Sequence, residues 1–152
     1  MQNLTIDTGM KEYLINNRAV LRFNPGDPNL YHRFFAAAPQ LDMLDAELTE
    51  KLKALPAEPD PARAEQGLAL LNDYDRRIKA LLTEIFGEEN DFDKVLEGVN
   101  LAGTGANGKR VVQNLLDALT PILQDGAAQH LQSTAAAARA EADAARAARG
   151  EA

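Results

Sequence analysis

Apolar residues recur along the chain with two different periods, and the change of period divides it. Near the start the period is two. "LTIDT" (Leu4–Thr8) alternates apolar and polar side chains, as a half-buried strand does. "EYLI", "NN" and "RAVLRF" then read as a β-hairpin, with Asn16 and Asn17 able to take the left-handed conformations that a tight turn needs. On the returning strand Ala19, Leu21 and Phe23 share one face, and Val20 and Arg22 share the other. Two or three strands are therefore expected, too few to be stable unless helices cover one face.

From residue 27 the period changes to three-four. Pro25-Gly26 ends the strand, Asp27 is placed to cap a helix, and Pro28 fits its first position, where a missing N–H costs nothing. Leu30 and Phe34 lie one turn apart. Pro39 should kink or break this helix. The repeat resumes through Leu41, Leu44, Leu48, Leu52 and Leu55. "PAEPDPA" (Pro56–Ala62) is a proline-rich loop. A second long helix is predicted from Pro61 to Phe86, stopped by Gly87, with Leu71, Tyr74, Ile78, Leu81 and Ile85 as its stripe. The two helices should form an antiparallel hairpin. A short helix with Phe92, Val95 and Leu96 ends at Gly98. The loop "VNLAGTGANG" follows, and a last apolar helix starts near Gly108 and carries Pro121 as a second expected kink. Beyond Gly126 the chain is alanine with scattered charges, either a solvated helix or a frayed tail. The predicted class is α+β, mostly α: one domain over residues 1–130 and an Ala/Arg/Glu-rich tail over residues 131–152.

Composition narrows the chemistry. Among 152 residues, 16 are basic and 23 acidic, for a net charge of −7. General nucleic-acid binding needs a basic face, so that balance argues against it; it suits a soluble cytoplasmic protein. With no cysteine, disulfides and thiolate metal sites are excluded. No apolar run approaches the length of a membrane span, and no secretory signal is expected at "MQNLTIDTGM".

"GTGANGKR" (Gly103–Arg110) nearly spells a phosphate-binding loop, G-x-x-x-x-G-K-[ST], but Arg110 stands where a hydroxyl would hold Mg²⁺. No buried strand precedes it, and the chain after it reads helical. The stretch is read as a flexible linker, with no nucleotide. His32 and His130 are far apart, the carboxylates around residues 88–93 lack EF-hand spacing, and the one serine, Ser133, lies in the tail. No catalytic, cofactor or metal site is found, so no enzyme is expected. An acidic regulator of the DNA-mimic type would need clustered charge, whereas here both signs are interspersed.

One resemblance gives these elements a context. "INNRAVLRFNPGDPNLYHRFF" resembles the opening of short tail assembly chaperones of long, non-contractile-tailed phages and prophages. Their pattern is met here by Ile15 and Asn16, then Phe23-Asn24-Pro25, Asp27-Pro28-Asn29 and Phe34, with Asn17 replacing a turn glycine. "IFGEENDFDKVLEGVNLAGTGANGKRVVQNLLDALTPIL" resembles the later part of the family. Together these cover about 60 of 152 residues; the alanine-rich tail departs from the pattern. The resemblance implies a chaperone that binds the helix-rich tape-measure protein, keeps it soluble and recruits tail-tube subunits. It also implies location in the host cytoplasm and absence from the mature virion. Self-association is left open. The alternative is a structural virion protein, such as a helical head–tail connector. The residues expected to meet the partner are Leu52 and Leu55 at one end of the proline-rich loop and Leu68 and Leu71 across from it.

Overall fold

The computed structural model describes residues 1–56 and 61–150. Strands β1 (Lys11–Ile15) and β2 (Ala19–Phe23) form an antiparallel hairpin, with Lys11 opposite Phe23 and Ile15 opposite Ala19. Asn16 and Asn17 take φ of 54° and 61°, the left-handed geometry their sequence predicts. The Arg18 N–H closes the turn on the Ile15 carbonyl at 3.1 Å. The predicted inner face holds: Leu21 and Phe23 are buried, and Val20 and Arg22 are exposed.

The third strand does not form. Leu4–Thr8 carries the right alternation but pairs with nothing, and residues 1–10 are exposed without regular structure. Alternation says which face a strand would bury; it cannot supply the neighbouring edge.

Helix α1 (Pro28–Lys53) starts as the sequence dictates. Asp27 is its N-cap, its Oδ1 accepting from the Asn29 N–H at 2.9 Å, and Pro28 is the first residue. Pro39 does not break it. The bond it removes would have ended on the Phe35 carbonyl, and both residues lie on the exposed side, where water can satisfy the carbonyl. Helix α2 (Pro61–Phe86) has the predicted bounds, and Gly87, at φ 101°, donates to the Thr83 carbonyl to end it. The predicted loop Pro56–Ala62 falls partly outside the described residues.

The two helices run antiparallel. Leu55 lies beside Gly67, the Tyr74 hydroxyl donates to Glu47 at 3.2 Å, and Arg33 Nε donates to the Ile85 carbonyl at 2.9 Å. Tyr74 is fully buried, with the Lys51 and Arg77 cations 5.1 and 4.9 Å from its ring centre. The hairpin packs its inner face over the end of α2 through an aromatic row. Tyr13 stacks on Phe23 at 4.7 Å, Phe23 meets Phe86 at 5.2 Å, and Phe86 meets Phe92 at 5.9 Å. Phe92 opens α3 (Phe92–Val95), which Asp91 caps.

Helix α4 runs Val111–Ala148 as one element through both Pro121 and Gly126. Pro121, like Pro39, lies on the exposed side. Val112, Leu115, Leu119 and Leu123 bury the first half. From Ala128 to Gly150 every described side chain is exposed, so the alanine-rich stretch is a solvated helix.

Candidate functional site

Two contacts dock α4 antiparallel to α1. At its start, the Arg110 guanidinium reaches the Asp45 carboxylate, donates to Thr49 Oγ1 at 2.8 Å and donates to the Ala102 carbonyl at 2.8 Å. Further along, α4 passes so close to the β2–α1 corner that a Cβ added to Gly126 would lie 2.1 Å from the Pro25 carbonyl oxygen. Glycine alone permits that approach. Tyr31 ties the same corner, its hydroxyl donating to the Pro25 carbonyl at 2.6 Å.

Beside this corner, between the two helices, lies an open groove of about 420 Å³. Pro28, Tyr31 and Phe35 of α1 form one wall; Ala127, His130 and Leu131 of α4 form the other. The lining is almost wholly apolar, and its two lips, Phe35 and Leu131, are 69% and 68% exposed. Large apolar side chains rarely face water in pairs around a cavity without a partner for them. The groove is shaped to hold an apolar side chain or helix face, and its polar groups are Tyr31, Gln124 and His130.

Sequence reasoning missed this site, though one signal was present. Phe34 and Phe35 are adjacent, so on a helix their rings point about 100° apart, and both cannot enter one core. Phe34 packs against the core; Phe35 is left out. The α4 wall had no signal, because Leu131 looks like the last residue of the buried stripe.

The four leucines expected to meet a partner are divided. Leu68 is 66% exposed, but Leu52 and Leu71 pack against the core and Leu55 is half-buried near Gly67. They do not form one open face.

The loop before α4 is not the free linker expected. Leu101 and Ala102 are fully buried. Asn100 Oδ1 accepts from the Ala102 and Gly103 N–H groups, each at 2.9 Å; Gly105 N–H donates to the Lys109 carbonyl at 2.8 Å; Gly108 N–H donates to the Gly105 carbonyl at 3.0 Å. The amides of Ala102, Gly103, Gly105 and Gly108 are thus spent inside the loop, and the Lys109 ammonium lies 3.5 Å from Asp117. A polar cluster with Asp75 buried at its centre holds the loop to α2: Asp75 accepts from the Leu101 N–H at 2.7 Å and from the half-buried Lys79 at 2.8 Å, and Lys79 also donates to the exposed Asp93 at 2.7 Å. Burial pushes the Lys79 ammonium down, but the two carboxylates outweigh it and the net direction is up.

Among the described residues no cluster of three or more His, Asp or Glu could hold a metal, and no helix is long and apolar enough to cross a membrane. The fold and the groove define a small α+β protein, mostly α, built on a helical hairpin, with an open apolar groove beside it. No protein-family model, no curated protein and no solved structure matches the chain.

Proposed function

We propose that the protein is a tail assembly chaperone of a long-tailed phage or prophage, a binding module that takes an apolar helical segment of the tape-measure protein in the groove between α1 and α4. The observation that carries this reading is where the resembling stretch falls. Ile15–Phe35 is the segment most similar to that chaperone family, and it supplies Pro28, Tyr31 and Phe35, one whole wall of the groove. An amphipathic helix laid in an apolar groove is a recurrent mode of recognition. Covering apolar helix keeps it soluble by mass action, without catalysis. On this reading the protein acts in the host cytoplasm, presents the tape measure to tail-tube subunits and is left out of the finished particle.

Co-expression tests it. The tape-measure protein should be soluble with this chain and insoluble alone. The exposed-lip double variant Phe35→Asp with Leu131→Asp should keep its helical signal and lose the effect. Unchanged solubility with and without the chain would sink the chaperone assignment, and the chain's presence in purified particles would favour a connector-type structural role.

A further inference from the structure

The hairpin has one edge satisfied and one open. The outer edge of β2 is occupied by the Asn90 side chain at Arg22. The outer edge of β1 has no such partner: among the described residues β1 makes backbone hydrogen bonds only to β2 and the turn. Beside that open edge lies a cleft of about 420 Å³, with Leu14 and Ile15 on the strand side, Val111, Leu115 and Ala118 of α4 on the far side, and Leu96 between. Asn16 and Asn114 line it beside these apolar side chains, and an unpaired edge next to such a mixed cleft has the shape of a missing strand.

The chain carries a segment of matching character. Leu4–Thr8 alternates, so that as a strand it would carry Leu4 and Ile6 on one side and Thr5 and Asp7 on the other. Leu4 and Ile6 are 82% and 74% exposed, and among the described residues the one hydrogen bond within the arm runs from the Gly9 N–H to Asp7 Oδ1, so the backbone groups of residues 4–7 are free to pair. The base of the arm is tied away from β1. The Thr8 carbonyl accepts from Asn24 Nδ2 at 2.7 Å, and Gly9 sits against that side chain, so closely that an added Cβ would be 2.8 Å from Nδ2. Asn24 follows β2, so the arm is anchored to the strand opposite the open edge.

We infer that the cleft beside β1 accepts the Leu4–Thr8 arm of a second copy of this chain as a third strand. Leu4 and Ile6 turn towards Val111 and Leu115 on the same side as Tyr13 and Ile15, and Thr5 and Asp7 stay outward beside Leu14. The pairing satisfies the free backbone of both segments and covers two exposed apolar side chains. This surface is separate from the groove between α1 and α4, so the inference stands or falls apart from the chaperone reading.

The absence of cysteine makes the test direct. Thr5→Cys and Leu14→Cys are made as single variants; both positions are solvent-exposed. Mixed and gently oxidised, they should form a disulfide-linked heterodimer, well above the yield of Thr5→Cys mixed with Leu68→Cys. Light scattering should give a mass above one chain, 16.5 kDa, at tens of micromolar protein, and a chain lacking residues 2–8 should fall to monomer. Ile6→Pro, which removes a strand N–H in an arm that packs on nothing in one copy, should also dissociate the assembly while keeping the helical signal. The inference is overturned if the intact chain is monomeric throughout, if the shortened chain keeps the same association, or if a chain carrying both cysteines links only within itself, the arm then folding onto its own edge.

Discussion

The side chain of Asn90 acts as a strand partner for Arg22. Its Oδ1 accepts from the Arg22 N–H at 2.8 Å, and its Nδ2 donates to the Arg22 carbonyl at 2.7 Å and to the Phe86 carbonyl at 2.9 Å. One buried amide therefore joins β2 to the end of α2. Asn90→Ala would remove three hydrogen bonds, two of them to the exposed Arg22, and should cost about 2–4 kcal/mol at roughly 0.5–1.5 for each bond lost. A urea midpoint within error of wild type would show that water replaces the amide.

Gly126→Ala should destabilise although it lies within a helix. In an exposed helix the change would gain up to about 1 kcal/mol. Here the new methyl would meet the Pro25 carbonyl, which is backbone and cannot rotate away. A raised thermal midpoint would mean that α4 does not approach this corner as described.

Adjacent phenylalanines should give opposite results. Phe35→Ala removes a ring that is mostly in water and should change stability by no more than about 0.5 kcal/mol. Phe34→Ala, half-buried against the core, should cost about 2 kcal/mol, below the roughly 3–5 of a fully buried ring. Asp27→Ala should cost about 1 kcal/mol for the lost cap. Equal effects at Phe34 and Phe35 in chemical denaturation would contradict the placement of this helix face.

Stability should fall at alkaline pH. Lys79 is held above its ordinary value of 10.5. A raised lysine contributes stability that is fully present below the unfolded-state value and is lost as pH rises through the folded-state value. Burial raises Tyr13 and Tyr31 from 10.0, and their contribution is lost over the same rise. Lys79→Met should therefore lower stability at pH 7, by leaving Asp75 without its cation, and should flatten the alkaline fall without abolishing it. Parallel wild-type and Lys79→Met profiles above pH 10.5, where the raised lysine should begin to lose its contribution, would remove Lys79 from this account.

Truncation after Gln132 should leave the thermal midpoint unchanged within error. The described side chains beyond it, Thr134 to Gly150, are Ala, Arg, Glu, Asp, Thr and Gly in water, and they cover almost no apolar area. A clear drop in the midpoint of the monomer would mean that this helix docks.

Local rules carried the sequence furthest. Asn16-Asn17, Asp27-Pro28 and Gly87 each act within a few residues, and each marks a boundary the structure keeps. The stripe of α2 was legible for the same reason, since Tyr74, Ile78 and Ile85 all enter the core. Long-range relationships were not. Asn90 sits in an acidic run that reads as solvated, yet its partner is 68 residues away. Gly103–Arg110 reads as a linker because its glycines suggest freedom, whereas Asn100 holds Gly103 from outside that span and Arg110, at its end, is tied to Asp45 and Thr49 of α1. The groove needed both walls in place: the Phe34-Phe35 pair marks one of them locally, but its meeting with Leu131 is a property of the docking of α4, which has no local signature.

The bare end of α4 also changes how the molecule travels. The helix from Gln132 to Ala148 adds a rod of about 25 Å at 1.5 Å per residue, with little mass around it. Friction follows length more than mass. A single copy will therefore diffuse and elute like a heavier globular protein, and a column calibrated with globular standards would report association where none exists.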